Sequence, residues 1–430
     1  MLNSARITLL IFISVFVSSI TFFNAPFEGY LHYIIFLILL PGFYARFGVP
    51  KTPLKLLFIP LVLGVLQIYS GNNTWAGFMK IFTGVLLSAS FYQYVMLHYE
   101  FKTEKIFSYY MKGTYIVSII GIVEVISYYV GFVPGYNYSW LFNKWGIVQN
   151  SSGGIRMNSI FSEASQCAIM IAPACFVVIY NIIFRKNHFI HTQKGLLILI
   201  ATLLTTSSTG FIGFFITGIL IILNYAKISN FIGAAVIFIA LGSLLYGNVP
   251  EVKKRVDSGL GLWLDEDFSR DNVNSSSFVL YNNYHIAFEN FKDNPIAGTG
   301  LGSHAVAFEK YSLTKQAGIL NIEFNKSDAN SMFLRLLSET GLIGILFMLG
   351  FIFKFYVVRS KIHPESNHWI VGSAVLVIII LYLLRQGNYF INGFPIFMWI
   401  YYYNYVDFKN KYEKKDAASA IEPIAEKAIE

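Results

Sequence analysis

An arginine and a glutamate stand seven positions apart in the run Arg156-Met157-Asn158-Ser159-Ile160-Phe161-Ser162-Glu163-Ala164-Ser165, where a polar connection re-enters an apolar stretch. The guanidinium of Arg156 is a planar fork able to pair with phosphate oxygens at two points, and Glu163 would lie at similar depth. The pair suits phosphate binding beside a carboxylate, or a purely structural ion pair. A second chemistry-bearing stretch is Asn294-Pro295-Ile296-Ala297-Gly298-Thr299-Gly300-Leu301-Gly302-Ser303-His304. Its spacing predicts a helix ending at a proline turn, then a glycine-dense loop whose backbone can approach a ligand closely. No strand precedes it and no helix with a ribose-binding acid follows, so it is not a dinucleotide fingerprint. A third runs from Asp328-Ala329-Asn330-Ser331 to Gly344 and sets Arg335 and Glu339 at i,i+4 on one helix face.

Single ionisable groups fall inside or beside long apolar runs, where they are costly and need a reason. Lys80 lies about a turn and a half inside one run. Glu124 lies deep in another, and Arg335 and Arg385 flank the ends of later ones. Snorkelling of the cations to the interface competes with a ligand-binding role. For Glu124 a helix–helix hydrogen bond competes equally. Aromatic residues suited to sugar faces gather in two polar segments: Trp263, Tyr281 and Tyr284 in a long one, Tyr136, Tyr138, Trp140 and Trp145 in a short one. For the short set an interfacial aromatic belt explains the pattern as well.

The elements that must position these groups are membrane helices. Of 430 residues, 55% are hydrophobic and 13% charged, with mean hydropathy +0.55, against roughly 25% charged in soluble domains. The apolar residues form about twelve runs of bilayer-spanning length: 6–24, 29–45, 54–70, 75–97, 107–131, 161–184, 195–208, 209–226, 231–247, 331–357, 368–385 and 388–406. The seventh and eighth come from one run broken at Ser207-Ser208-Thr209-Gly210. The expected fold is thus an all-α polytopic membrane protein with a large extracytoplasmic loop between helices 9 and 10. Its parts are helices 1–9 over 1–247 with an outer loop at 132–160, the large loop over 248–330, helices 10–12 over 331–406, and a solvated tail over 407–430.

Lys and Arg concentrate in alternate connections: Arg46, Lys51 and Lys55; Lys102, Lys105 and Lys112; Arg185, Lys186 and Lys194; Lys227; Arg359 and Lys361. That alternation places both termini in the cytoplasm and the insert outside. The N-terminal run lacks a small-residue cleavage site and reads as a retained span. The net charge of +8 does not signal nucleic acid, because the insert holds eleven acidic against eight basic residues. Cys167 and Cys175 share one apolar run and read as packing residues.

At these residues a family becomes recognisable. The Asn294–Gly302 motif, followed by Asn330-Ser331 and Glu339-Thr340-Gly341-Leu342-Ile343-Gly344, resembles the O-antigen polymerase and ligase superfamily, which comprises Wzy-type polymerases and lipid A-core ligases. The 156–165 run and Ser207-Ser208-Thr209-Gly210-Phe211 look like two further landmarks, and the span layout is similar throughout. The resemblance implies an inverting, metal-independent glycosyltransferase of the GT-C kind, needing no cofactor. It would act on undecaprenyl-diphosphate-linked glycans at the periplasmic face of the bacterial inner membrane, with a chain-length regulator as a further candidate partner. It implies that Arg156 grips the donor diphosphate, assisted by Arg335, Arg385 or Lys80. Trp263, Tyr281 and Tyr284 would face the sugars. Where ligases commonly carry an Arg this chain has Thr209, and where they carry a His before the Asn it has Ala329. The general base therefore stays open among Asp328, His304, His285 and Glu163. The Ser-Ser-Thr-Gly form favours a polymerase over a ligase. A lipid-linked-sugar flippase is the rival from another class, disfavoured by the long insert and by the absence of repeats between the halves.

Overall fold

The computed structural model describes residues 4–23, 28–149, 154–225, 250–264, 275–314, 325–359 and 366–413, with a few isolated positions between them. The ninth expected span (231–247), apart from three isolated positions, and the tail beyond 413 lie outside the described residues.

The described chain is helical. It runs through α1 (Ser4–Phe16), α2 (Leu31–Phe47), α3 (Lys51–Tyr69), α4 (Trp75–His98), α5 (Thr103–Tyr129) and the single turn α6 (Val133–Tyr136). A two-residue hairpin follows, β1 (Val148–Gln149) pairing antiparallel with β2 (Ile155–Arg156). Then come α7 (Ala164–Phe184), α8 (Thr192–Leu204), α9 (Ser208–Tyr225), α10 (Pro250–Leu264), α11 (Ser275–Asp293), α12 (His304–Tyr311), α13 (Met332–Lys354), α14 (His368–Arg385) and α15 (Phe394–Phe408). Among the described residues seven helices are long and apolar enough to cross a membrane, and α1, α2 and α8 are shorter apolar helices. This is an all-α polytopic membrane protein.

Sequence decides which helices are central. α7 and α14 are apolar on every face, and 78% of the spanning window of each is buried, against 11% for α3. A helix apolar all round belongs inside a bundle, so α7 and α14 form its axis, with α5, α8, α9 and α15 packed around them. Small residues permit the close crossings. Gly213 of α9 fits between Ala172 of α7 and Leu381 of α14, and Gly210 sits against Ala168. A cavity of about 300 Å³ opens between α1, α5 and α15, lined by Phe12, Tyr109, Ile116 and Ile396 among others; it contains none of the candidate site residues.

Two expected spans have different ends. The first helix stops at Phe16, and 17–23 continue as irregular chain held by Ser19 Oγ donating to the Ile160 carbonyl (2.6 Å) and by Asn143. The last begins at Phe394 rather than 388. Asn388 Oδ1 accepts from the amides of Phe390 and Ile391 (3.1 Å each), and Asn392 and Gly393 adopt positive φ, which ends one helix and starts the next. Such local side-chain bonds compete with helix and are invisible to hydropathy.

Candidate functional site

The glycine-dense loop is a splint. α13 breaks at Gly341, whose φ of 58° and ψ of −149° are not helical. A break leaves amides unpaired below it and carbonyls unpaired above it. Below, Leu342 and Ile343 donate to the Pro295 and Ile296 carbonyls at 2.9 and 3.1 Å. Above, the amides of Thr299 and Gly300 donate to the Ser338 and Glu339 carbonyls at 3.2 and 2.7 Å. Asn290, one turn before the loop, donates to Ser338 and to Thr299. A Cβ at Gly298, where φ is +60°, would lie 2.5 Å from the Glu339 backbone. The loop's far side docks on α4, with Asn73 Nδ2 on the Leu301 carbonyl (2.9 Å) and Gly302 against Gly77.

The splint fixes a buried charge pair. Arg335 and Glu339 are 1% and 0% exposed, and Arg335 Nε donates to Glu339 Oε1 at 2.9 Å. Arg335 Nη1 donates to the Gly387 carbonyl (2.9 Å), and its guanidinium lies 4.3 Å from the Tyr389 ring centroid. Tyr389 donates to Glu339 Oε2 at 3.0 Å. Arg335 thus holds the strap that follows α14. Gly387 in that strap abuts the Asp328 carbonyl so closely that a Cβ would overlap it. Asp328 itself accepts from Asn325 (2.8 Å) and from the Asn330 amide (3.1 Å), and stays half-buried. Ala329 and Asn330 both take positive φ beside it, held where Ser331 Oγ donates to the Leu383 carbonyl (2.6 Å).

A second arrangement forms around Arg156. β2 lies over the break between α8 and α9: Met157 donates to the Leu204 carbonyl (3.0 Å), and Arg156 Nε to the Thr205 carbonyl (3.3 Å). Beneath this loop Glu124 is fully buried and accepts from the Ser159 amide at 2.6 Å and the Asn158 amide at 3.4 Å. Glu124 therefore anchors the Arg156 segment. Glu163 stands at the residue before α7, exposed, with its carboxylate accepting from Ser165 Oγ (2.9 Å) rather than from the helix amides. Arg385 comes to the same level by packing. Gly213 of α9 meets Leu381 of the antiparallel α14, so Thr209 and Arg385, each one turn further toward that end, lie at similar depth. Arg385 is half-buried and makes no hydrogen bond or ion pair with the described residues. The structure thus brings Arg156, Glu163, Arg385 and the α8–α9 break to one end of the central bundle, and the Gly387 strap joins Arg385 to Asp328.

The remaining candidates lie around these groups. Lys80 is exposed on α4. Its charge bears on Glu28, whose carboxyl lies below the usual range: burial opposes ionisation, and Lys144, Tyr30 and then Lys80 outweigh it. His304 is fully buried with Nε2 3.0 Å from Asn283 Oδ1, and burial, reinforced by Arg335, pushes its imidazole down to about 3. A neutral, enclosed imidazole of this kind is a weak base. His285 is half-buried on α11. Trp263, Tyr281 and Tyr284 converge, the Trp263 ring standing 5.1 Å from Tyr281 and 4.9 Å from Tyr284. Sequence reasoning passed over Tyr389, Gly387, Asn283 and Asn290. Asn290, buried one turn before the Pro295 turn, had the clearest signal: a polar residue on the face of α11 that also carries Ala287.

Residues 195–349, from α8 to the lower half of α13, match the family model described as O-antigen ligase. This match is consistent with the O-antigen polymerase and ligase superfamily. No curated protein matches the chain. The matched stretch contains the α8–α9 break, the glycine splint and the Arg335–Glu339 pair. The superfamily is a glycosyltransferase-like class whose members act on lipid-linked glycans.

Proposed function

We propose that the protein is a Wzy-type surface-polysaccharide polymerase. It transfers the growing glycan from undecaprenyl diphosphate to the non-reducing end of a lipid-linked repeat unit, at the periplasmic face of the bacterial inner membrane and without a metal. The observation that carries this reading is the convergence of Arg156, the α8–α9 break and Arg385, unpaired among the described residues, at one end of the bundle.

In this mechanism an acceptor hydroxyl attacks the anomeric carbon of the donor sugar from the face opposite the diphosphate. The new C–O bond forms as the bond to the phosphate oxygen breaks, and configuration inverts. The diphosphate leaves as an anion, and guanidinium groups fixed at its position lower the barrier without reorganising. Arg156 and Arg385 supply that charge. The hydroxyl proton passes to a carboxylate, and Asp328 is the best placed: half-buried, and held by the strap that continues from Arg385. Glu163 and His285 are the alternatives.

Purified protein incubated with a lipid-linked repeat unit, with and without chelator, should give a ladder of products on a gel. Arg156→Ala should remove long products while the protein remains in the membrane; unchanged polymer length from this variant rejects the role. The family description favours a second reading, transfer of finished glycan to lipid A-core. A strain lacking the protein separates the two. Loss of a polymerase leaves core capped with single repeats, whereas loss of a ligase leaves bare core and accumulating lipid-linked polymer.

A further inference from the structure

α11 presents one side to α13, another to α12 and a third outward. On the third side the Tyr284 and Phe288 rings stack, 5.7 Å between centroids and 9° between planes. Trp263 of α10 stands against Tyr284 and is set edge-on by Tyr281 behind it. Trp263, Tyr284 and Phe288 stay 44%, 36% and 38% exposed. The strip continues to Lys292, whose ammonium lies 4.7 Å from the Phe288 centroid and pairs with Glu289 at 2.7 Å. His285 shares this face, three residues from Phe288 and four from Tyr281.

The surroundings select the occupant. If the rings dipped into lipid they would carry with them Glu289, Lys292, Asp293 and Lys310, which are solvent-accessible ion-paired groups and costly to immerse. A protein partner needs about 800 Å² per side, whereas three rings exposed to this degree offer about 80 Å² each. A sugar is amphipathic on the scale of the strip. Its C–H face stacks on a ring while hydroxyls at its edge reach Glu289, Lys292 and His285. From Tyr281 to Phe288 the strip is about 10 Å long, room for roughly two sugar rings. Position agrees. Just past α11, Ile296 is joined to Ile343, and with Leu342 these are exposed apolar residues at the lipid level. The strip therefore rises from the surface at which a lipid-linked glycan emerges.

We propose that Trp263, Tyr284, Phe288 and Lys292 form a saccharide platform that holds the glycan of the lipid-linked substrate as it leaves the bilayer surface. The choice of ligand rests on the glycosyl-transfer reading above. The test uses full-length protein in nanodiscs and, as probe, the lipid-free oligosaccharide released by mild acid from the cell's own surface glycan. Tyr284→Ala with Phe288→Ala should weaken binding by about tenfold or more, and Trp263→Phe, which keeps a ring, should largely retain it. Product ladders should shorten in the double variant. Unchanged binding and ladders in the double variant overturn the platform and leave the polymerase reading intact. Ring-dependent binding by a protein that joins no repeat units keeps the platform and removes the polymerase. Absence of binding by the wild type, or quenching of Trp263 fluorescence by brominated lipid, also overturns the proposal.

Discussion

Among the cations, Arg335 and Arg385 separate cleanly by surroundings, and their substitutions should fail in different ways. Arg335 is enclosed with Glu339, and removing one partner strands the other charge in the interior, at a cost of about 3–5 kcal/mol. Arg335→Ala should therefore lower the melting temperature and the yield of folded protein. Arg385→Ala removes a group that pairs with no charge among the described residues, so the melting temperature should hold while the KM for lipid-linked donor rises about tenfold or more. Comparable thermal losses from both would refute the distinction. His304 makes a prediction in pH. Its folded-state value lies near 3, below the ordinary value of 6.5, so below pH 6.5 the unfolded chain binds a proton that the folded chain refuses. The stability this group confers is complete above pH 6.5 and drains away as the pH falls toward 3. His304→Gln should flatten that slope in thermal melts. Residue type alone announced Arg156 and Arg335 as groups needing a partner. What each partner is depended on tertiary approach: the Gly387 carbonyl is 52 positions from Arg335, and nothing local to Arg335 points to it.

The helix break in α13 and the loop that spans it form one device built from two segments. Gly298→Ala would place a Cβ against the Glu339 backbone and hold a non-glycine residue at positive φ, which alone costs about 1–2 kcal/mol. It should loosen the contact between the end of α11 and α13, read as faster protease cleavage between them. Gly387→Ala should displace Asp328, lowering kcat with a smaller change in melting temperature than Arg335→Ala. The helices themselves were legible, since apolar runs of spanning length have few other solutions. The break was not. Gly341 follows Ser338-Glu339-Thr340 and opens an apolar run within one expected span, where a glycine is ordinarily tolerated, and the Pro295 and Ile296 carbonyls explain why this one leaves helical geometry. Likewise the glycine spacing suggested approach to a ligand, while the described structure has it approaching α13 and α4.

For the molecule as a whole, the alternation of basic connections suggested an orientation that labelling can check. Both native cysteines are buried, so background is low. Ser139→Cys, exposed in the 132–160 loop, should react with an impermeant maleimide added to intact spheroplasts; protection there, with labelling only after lysis, would invert the topology. Hydropathy located the helices well because burial in lipid is what it measures, and it misplaced the ends of the first and last because side-chain caps set those. One dimension reaches beyond the protein. α8 has 13 residues and so extends only about 20 Å, well short of a hydrocarbon layer of ~30 Å. Lipid beside that helix must thin or water must enter above it. In either case a hollow forms over Thr205, and an anionic headgroup could sink to the depth of Arg156 while its isoprenoid tail stays in oil.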